Sequence, residues 1–188
     1  MKFQLIRNTL LQIPPEIKYF FLRATVIFIV WKLLYHLVLF PTRFPDKQLT
    51  EVTAQSTAFL YQQLVDKNTQ IAFKEQTNAE GVLTTVYLNH IPSIRIADAC
   101  NALGLYVLYV SLLFCFRTPL RRQLIYAVVG CISIFILNGL RCFLLTWMYL
   151  KQARFFDFAH HYLFQISVYI FIFFMWIFYI KKVSFSAK

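Results

Sequence analysis

The sequence has few charged side chains. They make up 14% of its 188 residues, whereas soluble domains average about 25%. Only 8 residues are acidic, against 19 that are basic. So little polar surface could not cover a set of buried helices, which argues against a soluble protein. With 59% hydrophobic residues and 21 phenylalanines, the chain has instead the composition of a polytopic membrane protein.

Paired cysteines of the metal-binding CxxC type are absent, and all four cysteines lie in apolar segments. The pattern therefore favours neither a disulfide framework nor a zinc site, and we expect no cofactor. Most of these cysteines should be small buried hydrophobic residues. A cysteine nucleophile needs support from its neighbours.

Four apolar runs are long enough to cross a bilayer, which takes roughly 20 residues. We predict an all-α polytopic membrane protein of about four transmembrane helices, at residues 19–40, 94–116, 123–150 and 155–180. No small-residue cleavage site follows the first run, so we expect it to remain as the first span. Residues 1–18 before it read as an amphipathic cytoplasmic segment, and residues 181–188 as a cytoplasmic tail.

The positive charge predicts the topology. Basic residues cluster before the first run, at 117–122 and in the tail, whereas residues 41–93 hold slightly more acids than bases. By the positive-inside rule both termini are cytoplasmic and residues 41–93 are extracytoplasmic. This insertion has one segment of helical spacing, then two β-rich stretches around a turn at 76–81, which predicts a small α+β unit. We expect the lipid bilayer as a partner and no nucleic acid.

Each of the last three apolar runs carries unusual polar residues. Arg141 lies inside the third, where a charge is costly unless it faces a protein interior or a wet cavity, and Asn138 shares its helical face. Cys100 lies near the start of the second run and His160 near the start of the fourth. At 1.5 Å per residue their depths are roughly 9, 13 and 6 Å for Cys100, Arg141 and His160. These similar depths indicate that the three side chains meet.

The three residue types suit nucleophilic catalysis. Cysteine attacks as the thiolate, which a nearby cation and base favour. His160 can take the thiol proton and return it to a leaving amine, and Arg141 can hold an oxyanion. Asn138 could orient Arg141 or a substrate backbone, and Asp98 could orient a base or pair with Arg95. The alternative is that Arg141 pairs with Asp98 for purely structural reasons.

Three short motifs occur in order: DACNALG at residues 98–104, NGLR at 138–141 and FAHHYLF at 158–164. In this order the chain resembles the exosortase/archaeosortase family of multi-pass membrane transpeptidases over about residues 95–180. That family has a Cys near the outer start of one span, an Asn-x-x-Arg late in the next and a His at the start of a third. Many exosortases are longer, and this compact chain resembles the small bacterial members.

The resemblance implies that Cys100 is the nucleophile, Arg141 the oxyanion residue and His160 the acid/base, with Asn101 and His161 in support. His161 would face about 100° away from His160 on a helix, and His160 matches the family position better. The implied partners are membrane-anchored proteins with a C-terminal sorting signal (short motif, span and basic tail) and a surface acceptor. The implied location is the bacterial inner membrane, with the site facing outward.

Two other functions fit the same residues. A non-enzymatic membrane scaffold or assembly factor would use buried polar residues only to lock helices together, so it would tolerate the loss of Cys100. A purely hydrolytic intramembrane cysteine protease would release its product instead of transferring it. The mass of the product separates this protease from a transpeptidase.

Overall fold

The computed structural model describes residues 15–78, 81–116 and 118–185. Its first long helix is α1, Pro15–Leu34. It continues through a π-helical turn, Tyr35–Leu39, and a last turn, Phe40–Thr42. Arg43, with a left-handed φ of 52°, ends it. The helix is long and apolar enough to cross a membrane, and most of its side chains lie on the surface, as lipid-facing ones do. Most of the predicted segment 1–18 falls in residues 1–14, outside the described residues.

The polar insertion is a helix packed against a small sheet. Helix α2 spans Asp46–Leu64, and the strands are β1 (Ile71–Asn78), β2 (Gly81–Leu88) and β3 (Ile91–Ala97). The sheet is antiparallel in the order β1-β2-β3, with a bulge between Val86 and Tyr87. The predicted helix and hairpin are therefore present. Of the predicted turn at 76–81, residues 79–80 lie outside the described residues, and Asn78 pairs with Gly81.

Strand β3 corrects the prediction of a span at residues 94–116. Residues up to Ala97 are strand, and Asp98–Cys100 form a 3₁₀ turn. The helix that follows, α3, covers only Leu103–Cys115. Strand β3 pairs with β2 from Leu83–Ala97 to Leu88–Ile91, and its buried residues are Ser93 and Ile96. A strand and a helix that are both apolar read as one hydrophobic run, so the predicted start of this span is wrong.

Two longer helices complete the bundle. Helix α4 spans Leu120–Leu150. After a short link the chain forms a turn at Phe156–Phe158, a π-helical turn at Ala159–Leu163 and helix α5, Phe164–Phe185. Of the predicted tail, residues 186–188 lie outside the described residues. Within the part of the chain that the structure describes, α1, α4 and α5 are long enough to span, whereas α3 has 13 residues and is shorter than the roughly 20 needed.

Buried apolar side chains form two separate cores. One joins α2 to the sheet and contains Ala54, Ala58, Val86, Leu88 and Ile96; the other joins α3, α4 and α5 and contains Ala102, Tyr109, Leu113, Ile134, Val168, Ile172 and Tyr179. Cys100 packs against the first core, and Ala102 belongs to the second. The turn between β3 and α3 is therefore the point where the two cores meet.

Helix α2 lies close to α4 because small residues face each other. A Cβ added at Gly139 would lie 3.4 Å from the Ser56 hydroxyl oxygen. The buried face of α2 is made of small side chains, namely Thr50, Thr53, Ala54, Thr57 and Ala58. This close approach brings the insertion against the half of α4 that carries Asn138 and Arg141.

Candidate active site

Cys100 lies in the short turn that joins β3 to α3. The 3₁₀ turn Asp98–Cys100 is followed by Asn101 and by Ala102, which has a left-handed φ of 64°. The Asn101 side-chain oxygen accepts the backbone N–H of Leu103 at 2.8 Å and so satisfies one of the free donors at the start of α3. Cys100 is half-buried. It therefore sits on a structured turn, not two turns inside a helix as its predicted depth assumed.

Arg141 projects from α4 between two cavities. One cavity, of about 410 Å³, is bordered by Cys100 and His160, and the other, of about 620 Å³, lies between α1, α3 and α5. The Nε atom of Arg141 is buried and has no hydrogen-bond partner among the described residues. No carboxylate within residues 15–78, 81–116 and 118–185 forms an ion pair with its guanidinium. The guanidinium thus keeps hydrogen-bond donors available for an occupant of either cavity.

His160 lies on the π-helical turn before α5. Its ring is parallel to that of Phe156, with 5.9 Å between the ring centroids and 2° between the planes. A π-helical turn inside a helix re-aims its side chains and is frequent at functional sites. The backbone of His161 belongs to the same turn, but its side chain lies outside the described residues, so the choice between the two histidines stays a prediction.

The smaller cavity, which we call the cysteine cavity, brings the three predicted catalytic residues together. Cys100 comes from the turn after β3, Arg141 from α4 and His160 from the π-helical turn before α5. The rest of its wall includes Arg95 and Ile96 of β3, Cys142, Leu145 and Tyr149 of α4, and Phe156. Three segments that are distant in sequence thus border one space of about 410 Å³, which is the size of a small-molecule or peptide side-chain site.

Asn138 contacts the cysteine turn, not the arginine. Its amide Nδ2 donates a hydrogen bond of 3.1 Å to the backbone carbonyl of Cys100. Its amide oxygen is buried and has no partner among the residues described. The sequence suggested that Asn138 orients Arg141 or a substrate; the structure instead shows it holding the backbone of Cys100 from one turn below Arg141.

Asp98 pairs with Arg43, and the suggested pairing with Arg95 is wrong. The Arg43 Nε donates to Asp98 Oδ2 at 3.1 Å and Nη2 to Oδ1 at 3.2 Å. Arg95 is exposed on strand β3 and Asp98 lies in the turn after it, so the two residues do not share a helical face. Arg43 also donates to the Glu75 carboxylate, and this hydrogen bond holds the pKa of Glu75 below its usual range.

Three further residues tie the turn to the insertion. Two of them belong to α2: Thr50 forms a hydrogen bond with Asp98, and Asp46 forms one with Asn101. The third is Tyr35 of the first helix, which forms a hydrogen bond with Asp46. No local pattern in the sequence marks them, because Asp46 and Asn101 are separated by 55 residues. A histidine outside the predicted site, His36, lies in the π-helical turn near the end of the first helix. It borders neither of the two cavities.

No group of three His, Cys, Asp or Glu side chains among the described residues is arranged to hold a metal ion. A thiol, an imidazole and a guanidinium are among the groups of the residues that border the cysteine cavity. Such a set can carry out acyl transfer: a thiol to attack, an imidazole to move the proton and a guanidinium to hold negative charge.

Comparison with known proteins supports the resemblance to the exosortase family. A family profile described as transmembrane exosortase matches residues 19–180. Comparison with curated proteins and with solved structures gives no match. The family match includes α1, the insertion, α3, α4 and most of α5, hence every residue that borders the cysteine cavity. The chain therefore belongs to the transmembrane exosortase family.

Proposed function

We propose that this protein is a membrane-embedded cysteine transpeptidase that cleaves the C-terminal sorting signal of surface proteins and transfers them to a surface acceptor. The observation that carries the proposal is the single cavity bordered by Cys100, Arg141 and His160. Membership of the transmembrane exosortase family supports the same reaction class. The basic loops of the chain support an outward-facing site in a bacterial inner membrane.

The first half-reaction forms an acyl-enzyme. His160 takes the proton of the Cys100 thiol, and the sulfur attacks the carbonyl carbon of the scissile peptide bond. Arg141 stabilises the negative oxygen of the tetrahedral intermediate through donors that no carboxylate of the described chain occupies. The C–N bond then breaks, and the leaving amine receives the proton from His160. The span and basic tail of the substrate leave, and the rest remains attached to Cys100 as a thioester.

The second half-reaction transfers the acyl group to the acceptor and regenerates the free Cys100 thiol. A nucleophile on the surface acceptor gives its proton to His160 and attacks the thioester carbon. The intermediate collapses, the sulfur leaves as the thiolate and regains a proton from the imidazole. Water in the acceptor's place would give hydrolysis, so the same residues serve a protease if the acceptor is absent.

We expect part of the substrate's own span to lie against the larger cavity, which we call the span groove. It is bordered mainly by apolar residues of α1, α3 and α5, and Arg141 borders it as well as the cysteine cavity. A helix lying in the groove would therefore have its outer end next to Cys100. Gly104 borders the groove, and a Cβ added there would meet nothing within 4 Å. Gly104→Phe should thus place a ring in the groove, and its Cβ atom would meet no neighbouring atom within 4 Å.

The test is co-expression with candidate substrates from the same genome that end in a span and a basic tail. Loss of the tail should require the native chain and should disappear in Cys100→Ala, Arg141→Ala and His160→Ala. The matched controls are Cys131→Ala and His36→Ala, since neither residue borders the cysteine cavity. Membrane levels of every variant are measured alongside.

Processing that survives Cys100→Ala would contradict the mechanism and favour the scaffold. A product whose mass equals that of the free acid would identify the hydrolytic protease, and a heavier product the transpeptidase. Gly104→Phe should reduce processing, whereas Ile132→Phe, on an exposed position of α4 that borders neither cavity, should not. Equal processing by these two variants would remove the span groove from the proposal.

A further inference from the structure

We propose that Arg43 and Asp46, at the corner between the first helix and α2, are positioning residues that set the place of the Cys100 turn. Neither residue borders the cysteine cavity. Both act on the residues that flank Cys100, namely Asp98 on one side and Asn101 on the other. The placement of the thiol is independent of the reaction, whereas its effect on catalysis rests on the proposed function.

The first anchor is the pair between Arg43 and Asp98. The guanidinium reaches both oxygens of the carboxylate, with Nε–Oδ2 at 3.1 Å and Nη2–Oδ1 at 3.2 Å. Such a two-pronged pair fixes direction as well as distance, because the planar guanidinium matches the carboxylate. The Thr50 hydroxyl donates a further hydrogen bond to Asp98 Oδ1 at 2.8 Å. The start of the turn is thus fixed from two elements, the end of the first helix and α2.

The second anchor is Asp46, a carboxylate with only 4% of its surface exposed. Its Oδ2 accepts the hydroxyl of Tyr35 at 3.0 Å, and its Oδ1 accepts the amide of Asn101 at 2.7 Å. Asn101 Nδ2 also lies 3.2 Å from the Asp46 backbone carbonyl oxygen. No cation of the described residues forms an ion pair with Asp46. Burial of a carboxylate costs free energy unless its oxygens accept hydrogen bonds. The Tyr35 hydroxyl and the Asn101 amide supply these hydrogen bonds, which fix the position of Asn101 relative to Asp46.

Together with Asn138, these anchors leave Cys100 little freedom of backbone movement. Asp98 lies two residues before the cysteine, Asn101 one residue after it, and Asn138 binds its carbonyl oxygen from α4. Cys100 itself is one of the residues that border the cavity. Catalytic geometry is sensitive to such placement, since a shift of about 1 Å can cost roughly a hundredfold in rate. The corner therefore acts on the nucleophile through the turn.

A purely structural role is the alternative, in which the network only fastens the insertion to the bundle. The two roles differ in what Cys100 itself experiences. Loss of a fastening would loosen the whole chain and expose Cys115 and Cys131 together with Cys100. Loss of a positioning contact would change Cys100 selectively. The reactivity of each thiol toward a small alkylating reagent, relative to the others in the same molecule, separates these outcomes.

The experiment uses the full chain in native membranes and peptide mapping of every cysteine after timed exposure to iodoacetamide. The variants are Arg43→Lys, which keeps the charge but loses the two-pronged geometry, and Asp46→Asn. The control is Lys47→Gln, because Lys47 lies in the same corner but its ion pairs within the described residues are with Glu51 and Glu75, not with Asp98 or Asn101. We expect the Cys100 rate, relative to Cys131, to change about threefold or more in both variants and to stay constant in the control.

An Arg43→Gln/Asp98→Asn double variant tests whether the pair acts as a unit. The double variant should change Cys100 reactivity no more than either single variant, because one broken contact already releases the turn. Unchanged Cys100 reactivity in Arg43→Lys and Asp46→Asn would overturn the proposal. So would a parallel change of all the cysteines in both. Where a substrate is processed, kcat should fall about tenfold or more with little change in KM, because neither residue borders the span groove.

The outcome for this network is distinct from that for the proposed function. Selective change at Cys100 in these variants would support the positioning role even if Cys100→Ala still processed substrate. Loss of processing in Cys100→Ala with no selective change would support the enzyme and remove the network from it.

Discussion

Replacing Asn138 by leucine should separate stability from the geometry of the cysteine turn. Asn138 has only 2% of its surface exposed. Its amide nitrogen Nδ2 donates a hydrogen bond of 3.1 Å to the Cys100 carbonyl. Its amide oxygen Oδ1 is buried and has no hydrogen-bond partner within the described residues. Leucine has the same branched outline of heavy atoms. The substitution therefore removes one hydrogen bond and one unpaired polar atom together.

The two effects on the free energy of unfolding have opposite signs. Loss of the hydrogen bond leaves the Cys100 carbonyl without its Asn138 donor and costs about 1–3 kcal/mol, and removal of a buried acceptor that lacks a donor returns about 1–3 kcal/mol. We expect the two to offset, so Asn138→Leu should change the free energy of unfolding by no more than about 1 kcal/mol. Asn138→Asp keeps the outline but places a second acceptor against the Cys100 carbonyl. At a pH at which the acid is ionised, this substitution should lower stability by several kcal/mol.

The assay is thermal unfolding of the full chain in detergent, combined with alkylation of Cys100 relative to Cys131. Asn138→Leu should keep its unfolding midpoint and still change the relative reactivity of Cys100, because the turn has lost its contact with α4. A loss of more than about 2 kcal/mol in Asn138→Leu would refute the reasoning, since it would mean that the unpaired oxygen costs nothing. Equal midpoints for Asn138→Leu and Asn138→Asp would refute it as well.

Two further predictions concern packing and pH. Gly130→Ala should destabilise the bundle by about 1–3 kcal/mol, because its Cβ would overlap the ring of Tyr109, whereas Gly104→Ala should not, because that Cβ would meet open space; thermal unfolding of both variants checks this, and equal midpoints would contradict it. The lowered pKa of Glu75 means that its bond with Arg43 stabilises the fold at neutral pH and is lost as the pH falls through the lowered value. Since Glu75 is 41% exposed, Glu75→Gln should cost at most about 1 kcal/mol at pH 7, and its unfolding midpoint should converge with that of the native chain in acid; a constant difference would contradict the assignment.

The long helices were predictable because hydrophobicity is uniform along them. The predicted spans at 19–40 and 123–150 lie within the helical stretches that contain α1 and α4, and the one at 155–180 begins one residue before the helical stretch that contains α5. The second span was not predictable in the same way. Its apolar run joins β3 to α3, and mean hydropathy does not distinguish a buried strand from a buried helix. A basic residue between two isoleucines, at Ile94-Arg95-Ile96, was the available signal of a strand, but it extends over too few residues to override the run.

The prediction that Cys100, Arg141 and His160 lie close together rested on a depth estimate that was partly wrong. Depth counting placed Cys100 two turns inside a helix, whereas it lies on a turn before one. The side chains still border one cavity, because β3 brings the turn to the level of Arg141 and His160. The partners of the turn were beyond prediction. Arg43 and Asp98 are separated by 55 residues, and only the folded insertion brings them together. The catalytic roles themselves stay predictions.

The walls of the cysteine cavity come from segments that leave the ribosome at different times. The Cys100 turn and Arg141 are made before His160, which belongs to the last of the helices. A nascent chain inserted only as far as α4 therefore has the thiol and the cation but neither the imidazole nor Phe156 beside it. Under the proposed mechanism, such a chain lacks the group that takes the proton of the thiol. That mechanism therefore becomes possible only once α5, with the π-helical turn before it, has packed against α3 and α4.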